Sequence, residues 1–288
     1  MKQHNYLLDI IIVLIVFLAV FIGFVRIKNG FSYHWNWGSI PQFFFKTDDT
    51  GHISANLLVL GFLTTIKLSI WAFAAALIIG TLMGVLRTRK NLFAKMIGRT
   101  YIEIARNTPP LVLIFIFYFF IGNNIIASLG IDNWVRDLNG SGRSIISFLF
   151  TKPERFSEFL SAVFTLAIYE GAYITEIVRG GLEAIPKGQF EGANALGINF
   201  LDKYRFVIFP QVFKKVLPSL TGQAISTIKD SSIVSIISIQ ELTFQGMQIM
   251  ASTYMVFEIW ITITVMYFIL TFTLSTLANF IEGKMIRN

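Results

Sequence analysis

The residues whose types and spacing could do chemistry in this 288-residue chain are a few charges set inside apolar runs. Lys67, Glu170, Glu176, Arg179 and the adjacent pair Lys229-Asp230 all interrupt stretches of Leu, Ile, Val and Phe. A charge at the centre of a bilayer costs about 2.5–3.5 kcal/mol on insertion scales, so each needs a partner or a polar surface. Lys67 reads as a side chain that snorkels to the outer interface or finds a partner, with the lining of a polar passage as the alternative. Glu170 lies mid-run, too deep to snorkel, and reads as one member of a structural pair or as a group facing such a passage. Glu176 and Arg179 stand three apart, the spacing of a local ion pair on a helix. Lys229 and Asp230 are neighbours, so on a helix they point in different directions and each needs its own partner. That fits a broken or water-facing helix.

Enzymatic constellations are missing. With no Cys there is neither thiol catalysis nor a thiolate metal site. No G-x-x-x-x-G-K-[ST] or G-x-S-x-G run occurs. His4, His34 and His52 fall outside any H-x3-H spacing, and His34 and His52 read as solvated loop residues, so no catalytic residue and no metal ligand is assigned.

The elements that must position these charges are apolar helices. The composition is 54% hydrophobic, 15% aromatic and only 14% charged, with 29 Phe and a mean hydropathy of +0.64. Soluble domains carry about 25% charged residues, so a soluble enzyme, a disordered chain and a disulfide scaffold are all excluded. Six runs are long enough to cross about 30 Å of hydrocarbon: Leu7–Val25, Leu68–Leu86 (reaching back to Asn56 if Lys67 is accepted), Leu111–Ala127, Phe159–Val178, Val216–Ile239 and Ile259–Ile281. The first has a single Lys before it and no small-residue cleavage site before Arg26, so it reads as a retained helix, not a signal peptide. Gly80-x-x-x-Gly84 allows a close helix contact.

Lys and Arg placement orients the chain. With the N-terminus inside, fifteen of the 24 basic residues fall in cytoplasmic segments and seven outside, while Glu241–Glu258 has none. Both termini are therefore expected in the cytoplasm, and the net charge of +7 reads as topology, not as nucleic-acid binding. Arg26–Ala55 and Ser128–Glu158 become extracytoplasmic loops. Gly180–Lys215 is a cytoplasmic segment with a helix-compatible stretch, Gln189–Leu201, behind Pro186. Pro210 and Pro218 are expected to break the chain before the next span.

Within that segment, Glu191-Gly192-Ala193-Asn194-Ala195-Leu196-Gly197, nine residues, then Val207-Ile208-Phe209-Pro210, resembles the cytoplasmic EAA loop of ABC import permeases. Glu191, Ala193, Gly197 and Pro210 match that pattern in register; Gly192, Val207 and Phe209 depart from it. A short small-residue helix can seat in a partner's groove, and Gly197 can end it with φ > 0. The run Gly171–Gly181 with Ile185–Gln189, the run Arg106-Asn107-Thr108-Pro109-Pro110-Leu111-Val112 and Lys229-Asp230-Ser231-Ser232-Ile233 are similar to segments of the polar amino acid subfamily, in the same order. The likeness covers about Asn56 to Arg287.

The resemblance implies an all-α, multi-pass protein of the bacterial plasma (inner) membrane, with about six transmembrane helices. Residues 1–55 would supply an N-terminal helix and an extracytoplasmic loop. Residues 56–288 would be a five-helix ABC permease core carrying a coupling loop at about 186–215. Such a subunit pairs with a second permease chain, identical or not. It docks two cytoplasmic ATP-binding subunits through Glu191, Gly192, Ala193, Gly197 and Pro210, and receives a polar amino acid from an extracytoplasmic binding protein. ATP and Mg would serve the partner ATPase, with no cofactor on this chain. Lys67, Glu170, Lys229 and Asp230 are the candidates for the translocation path, Glu170 toward a substrate ammonium. A secondary transporter, a membrane enzyme and a scaffold are the rivals. No pair of related broken helices favours the first, and no interfacial polar cluster favours the second.

Overall fold

A computed structural model describes residues 10–19, 21–22, 33–47, 51–89, 91–126 and 128–286. Two compact units divide the chain, Met1–Gly38 and Ser39–Asn288. In the first, Ile10–Ala19 (α1) is an apolar helix; both ends of the expected span Leu7–Val25 lie outside the described residues.

The second unit opens with a short helix, Pro41–Phe44 (α2), and an antiparallel hairpin of Phe45–Thr47 (β1) and Ile53–Ala55 (β2). The helix Leu57–Thr88 (α3) follows, so the longer version of the second span, with Lys67 inside it, is the one formed. At 1.5 Å per residue its 32 residues reach about 48 Å, more than a hydrocarbon core requires. Its buried side is a stripe of small residues at three- and four-residue steps, Gly61, Thr65, Ser69, Ala72, Ala76, Gly80 and Gly84, with Leu68 alongside. Such a stripe lets another backbone come close, which is how helices pack where no hydrophobic force separates them from lipid. The Gly80–Gly84 contact is close: an added Cβ at Gly80 would stand 2.5 Å from Ile174 Cγ2, and one at Gly84 2.8 Å from Val178 Cγ1.

Ile174 and Val178 belong to Phe156–Glu183 (α8), the helix at the centre of the unit. In its most apolar window 72% of residues are buried, against 17% for Val256–Ile286 (α13), most of whose apolar side chains face outward. Between α3 and α8 run Leu92–Asn107 (α4), Pro110–Phe120 (α5), continued by a π-turn Ile121–Ile126, then Ile131–Arg136 (α6) and Gly140–Leu149 (α7). The break between α4 and α5 follows from Pro109 and Pro110. A residue before proline avoids the α region, and Thr108 is extended at φ −98°, ψ 139°. Pro110 then starts α5, where its missing N–H costs nothing, and the two helices bend by 116°.

Beyond α8 come Lys187–Ala195 (α9), Phe200–Asp202 (α10), a π-turn Lys203–Ile208, Phe209–Asp230 (α11), Leu242–Thr253 (α12) and α13. Two expectations change here. Pro210 and Pro218 do not break the chain. The π-turn runs into α11, Pro210 sits in its first turn, and Pro218 lies inside it without ending it. The wide turn before Pro210 shifts the donor pattern just where that proline has no N–H to give, so the helical path continues into α11. The fifth run, Val216–Ile239, is not one helix. Its α-helix stops at Asp230, a 3-10 segment covers Ser231–Ile237, and Ser238 turns the chain at φ +64°. By length and composition three helices can cross a membrane among the described residues (α3, α8 and α13), or four if the bent pair α4–α5 forms one span.

Candidate functional site

The loop with Glu191 and Gly197 is a helix with a defined stop. α9 begins behind Pro186 and buries a single residue, Ala193. It closes with Gly197 N–H donating to Asn194 O (3.0 Å) and Ile198 N–H to Ala193 O (3.1 Å), while Gly197 takes φ +69°. This is the Schellman pattern, and it requires a residue free to adopt the left-handed region. No atom lies within 4 Å of an added Cβ at Gly197, so backbone conformation, not space, selects glycine.

Behind α9 the return chain is held by aromatic and amide contacts. Phe190 packs edge-on to Tyr204 (6.3 Å between centroids); Tyr204 meets Phe200 (4.4 Å) and Phe209 (5.6 Å). Lys203 donates to Asn194 Oδ1 (2.7 Å), Gln211 to Gln189 Oε1 (3.0 Å) and Lys215 to Ala184 O (2.6 Å). Ile208, fully buried, joins Val212 and Val216 of α11 and Ile174, Val178 and Leu182 of α8 in one apolar cluster. Across the loop, the Arg89 guanidinium lies 3.8 Å above the Phe200 ring. Displacement of α9 therefore has packed routes into α8, α11 and the end of α3. Glu191 and Gly192 stay exposed, and Leu196, Leu201 and Phe206 are 79%, 76% and 66% exposed.

Among the four candidate path residues, two come together. Glu170 on α8 is fully buried; its Oε2 accepts from Gln223 of α11, and the charge of Asp230, at the end of α11, acts on the same carboxyl. The second oxygen, Glu170 Oε1, is buried with no partner. Lys229 points away and is exposed, as adjacency predicts. Lys67 is elsewhere: its ammonium donates to Ser147 O of α7 (2.8 Å), beside Trp71 Nε1, which donates to Leu149 O (3.1 Å). Two carboxyls and an amide in a poorly solvated place can hold a cation, an ammonium above all. The expected pair Glu176–Arg179 forms at 2.8 Å, and Arg87 of α3 also bonds Glu176.

Sequence reading missed two groups. Gln223, seven residues before Asp230 and thus on the same helical face, carried a periodic signal. Glu241 carried a weaker one as an acidic residue opening a helix. It is fully buried and caps α12 by accepting the N–H of Thr243 and of Phe244, both at 2.8 Å. It also accepts from Tyr267 of α13 (2.7 Å) and from Thr65 of α3 (3.4 Å), so one carboxylate ties three helices. Among the described residues no group of three or more His, Asp or Glu is placed to hold a metal.

Residues 76–287 match the family model described as "Binding-protein-dependent transport system inner membrane component". The chain is 34% identical to the glutamine transport system permease protein GlnP of Escherichia coli K12 over 229 residues, covering 80% of this chain and 93% of that one. It is 28% identical over 255 residues to the glutamate/aspartate import permease protein GltJ of the same strain, covering 88% and 96%. The solved structure of an amino acid ABC transporter with histidines superposes at a TM-score of 0.59 with 31% identity, covering 79% of this chain and 94% of that one. The inward-facing MetNI methionine ABC transporter superposes at 0.60 with 19% identity, a likeness of fold alone.

Proposed function

The chain belongs to the family of binding-protein-dependent transport system inner membrane components, and from that premise we propose that it forms the translocation path for a polar amino acid in an ABC importer. The observation that carries the substrate class is the buried Glu170 carboxyl, with one oxygen unpartnered and Asp230 beside it at the α8–α11 contact. That site suits the ammonium every amino acid carries.

The drive comes from outside the chain. Two ATP-binding subunits, using ATP and Mg, press on α9, whose exposed Leu196 and Leu201 offer apolar anchors. Because Phe190 and Ile208 pack the loop against the apolar cluster of α8 and α11, closure of the ATPases moves both sides of the Glu170 site. The protein itself makes and breaks no covalent bond. Its remaining partners are a second permease chain and an extracytoplasmic binding protein, in the bacterial inner membrane.

The test is reconstitution with its ATPase and binding protein, reading ATP hydrolysis and uptake against a panel of amino acids. Polar amino acids should stimulate both, with uptake following ATP and indifferent to ion gradients. Uptake that followed an ion gradient without ATP would instead establish a secondary transporter.

A further inference from the structure

A second polar site lies between α3, α4 and α8, apart from the Glu170 carboxyl. Arg87, Arg99, Ile102, Glu103, Arg106, Asn107 and Glu176 line a cavity of about 390 Å³, within the range of small-molecule sites. Two tyrosines of α8 adjoin it in the chain. Tyr169, Tyr173 and Glu176 share one face of α8 by their four- and three-residue spacing. The two tyrosine hydroxyls meet at 3.2 Å, and the Arg106 guanidinium lies 5.4 Å from the Tyr173 ring.

The charges in this cavity are mixed and unevenly matched. Glu103 takes Arg99 at 2.7 Å, and Glu176 takes both Arg87 and Arg179. Arg106 makes no ion pair among the described residues, and Arg87 Nε is buried without an acceptor. Arg106 thus lacks an anion and Arg87 keeps one N–H without an acceptor, while two carboxylates, each already paired with arginine, stand in the same wall. A ligand that is only anionic, such as a phospholipid phosphate, would meet those carboxylates. A zwitterion satisfies both signs.

We propose that this cavity holds the zwitterionic head of an amino acid on the cytoplasmic side, its carboxylate on Arg106 and its ammonium on Glu103. The inference rests on the transport reading above and adds to it a station below Glu170, where cytoplasmic amino acid delays release of the next molecule. Internal substrate would then slow import.

The test uses the whole importer in proteoliposomes with ATP inside, loaded or not with unlabelled L-glutamine or L-glutamate, and reads the ratio of loaded to empty uptake for each variant. The parent should slow with internal amino acid. Arg106→Gln and Glu103→Gln should each raise the half-inhibitory internal concentration about tenfold, the scale of one charge-assisted contact. Arg106→Lys should keep most of the response, and 4-aminobutanamide, which has an amine and no carboxylate, should inhibit weakly. Should the parent take up amino acid while ignoring its internal level, the cavity proposal fails alone; should it take up none of the panel, the transport reading fails and this one with it. An unchanged response in both glutamine variants also overturns it. So does a response that tracks phosphatidylglycerol content, which would mark a lipid site.

Discussion

At the scale of single residues, burial and pairing sort the charges into different tasks. Lys67 donates to Ser147 O of α7, Glu176 joins Arg87 to Arg179, and Glu241 gathers Thr65, Tyr267 and the start of α12. Glu170 alone among these keeps a buried oxygen unpartnered. Glu170→Gln keeps the shape and removes the charge, so it should weaken half-saturating amino acid in uptake about tenfold while assembly with the ATPase persists. Uptake kinetics beside size-exclusion profiles would check this, and unchanged half-saturation would remove Glu170 from the path. Glu241→Ala should act on stability instead. It removes an N-cap and one of the two partners of the Tyr267 hydroxyl, which keeps Thr243 at 3.0 Å, together about 1–3 kcal/mol. The thermal midpoint of the detergent-solubilised protein should drop clearly; a midpoint equal to the parent's would show that the three-helix tie contributes nothing.

At the scale of elements, the clearest case is α9 and its stop. The G at 197 was legible from sequence because few residues tolerate φ near +69°, and the Schellman bonds realise that reading. Aspartate tolerates the left-handed region better than most residues, so Gly197→Asp should leave insertion and subunit pairing intact. It should nevertheless abolish transport and substrate-stimulated ATP hydrolysis by placing a charge beside exposed Leu196. Near-normal uptake by this variant would sink the coupling role of the loop. Pro210 and Pro218 show the opposite lesson. Proline chemistry alone predicts a break, yet the π-turn Lys203–Ile208 and the packing of Ile208, Val212 and Val216 keep the helix running. The adjacent charges suggested a broken or water-facing helix, but neither the stop at Asp230 nor the 3-10 segment Ser231–Ile237 after it was legible, since the run Val216–Ile239 reads as one span.

At the scale of the whole molecule, an oily composition and a biased distribution of Lys and Arg already require several helices in a membrane. The chain has no Cys, so single-cysteine variants report topology without a background. Leu201→Cys should react with an impermeant thiol reagent only from the cytoplasmic face, and Phe148→Cys only from the opposite face; both are at least three-quarters exposed. Labelling from the reverse faces would overturn the Lys/Arg orientation. The sequence by itself determined the all-helical membrane class, the α9 loop, the close approach at Gly80–Gly84 and the local Glu176–Arg179 pair, because each rests on composition or on residues near in the chain. The tertiary structure alone decided that Glu170 meets Gln223 and Asp230, that Arg87 completes the Glu176 network and that Lys67 binds α7. Those partners lie 53 to 89 residues apart, and only packing chooses among the many helix pairs the same pattern allows.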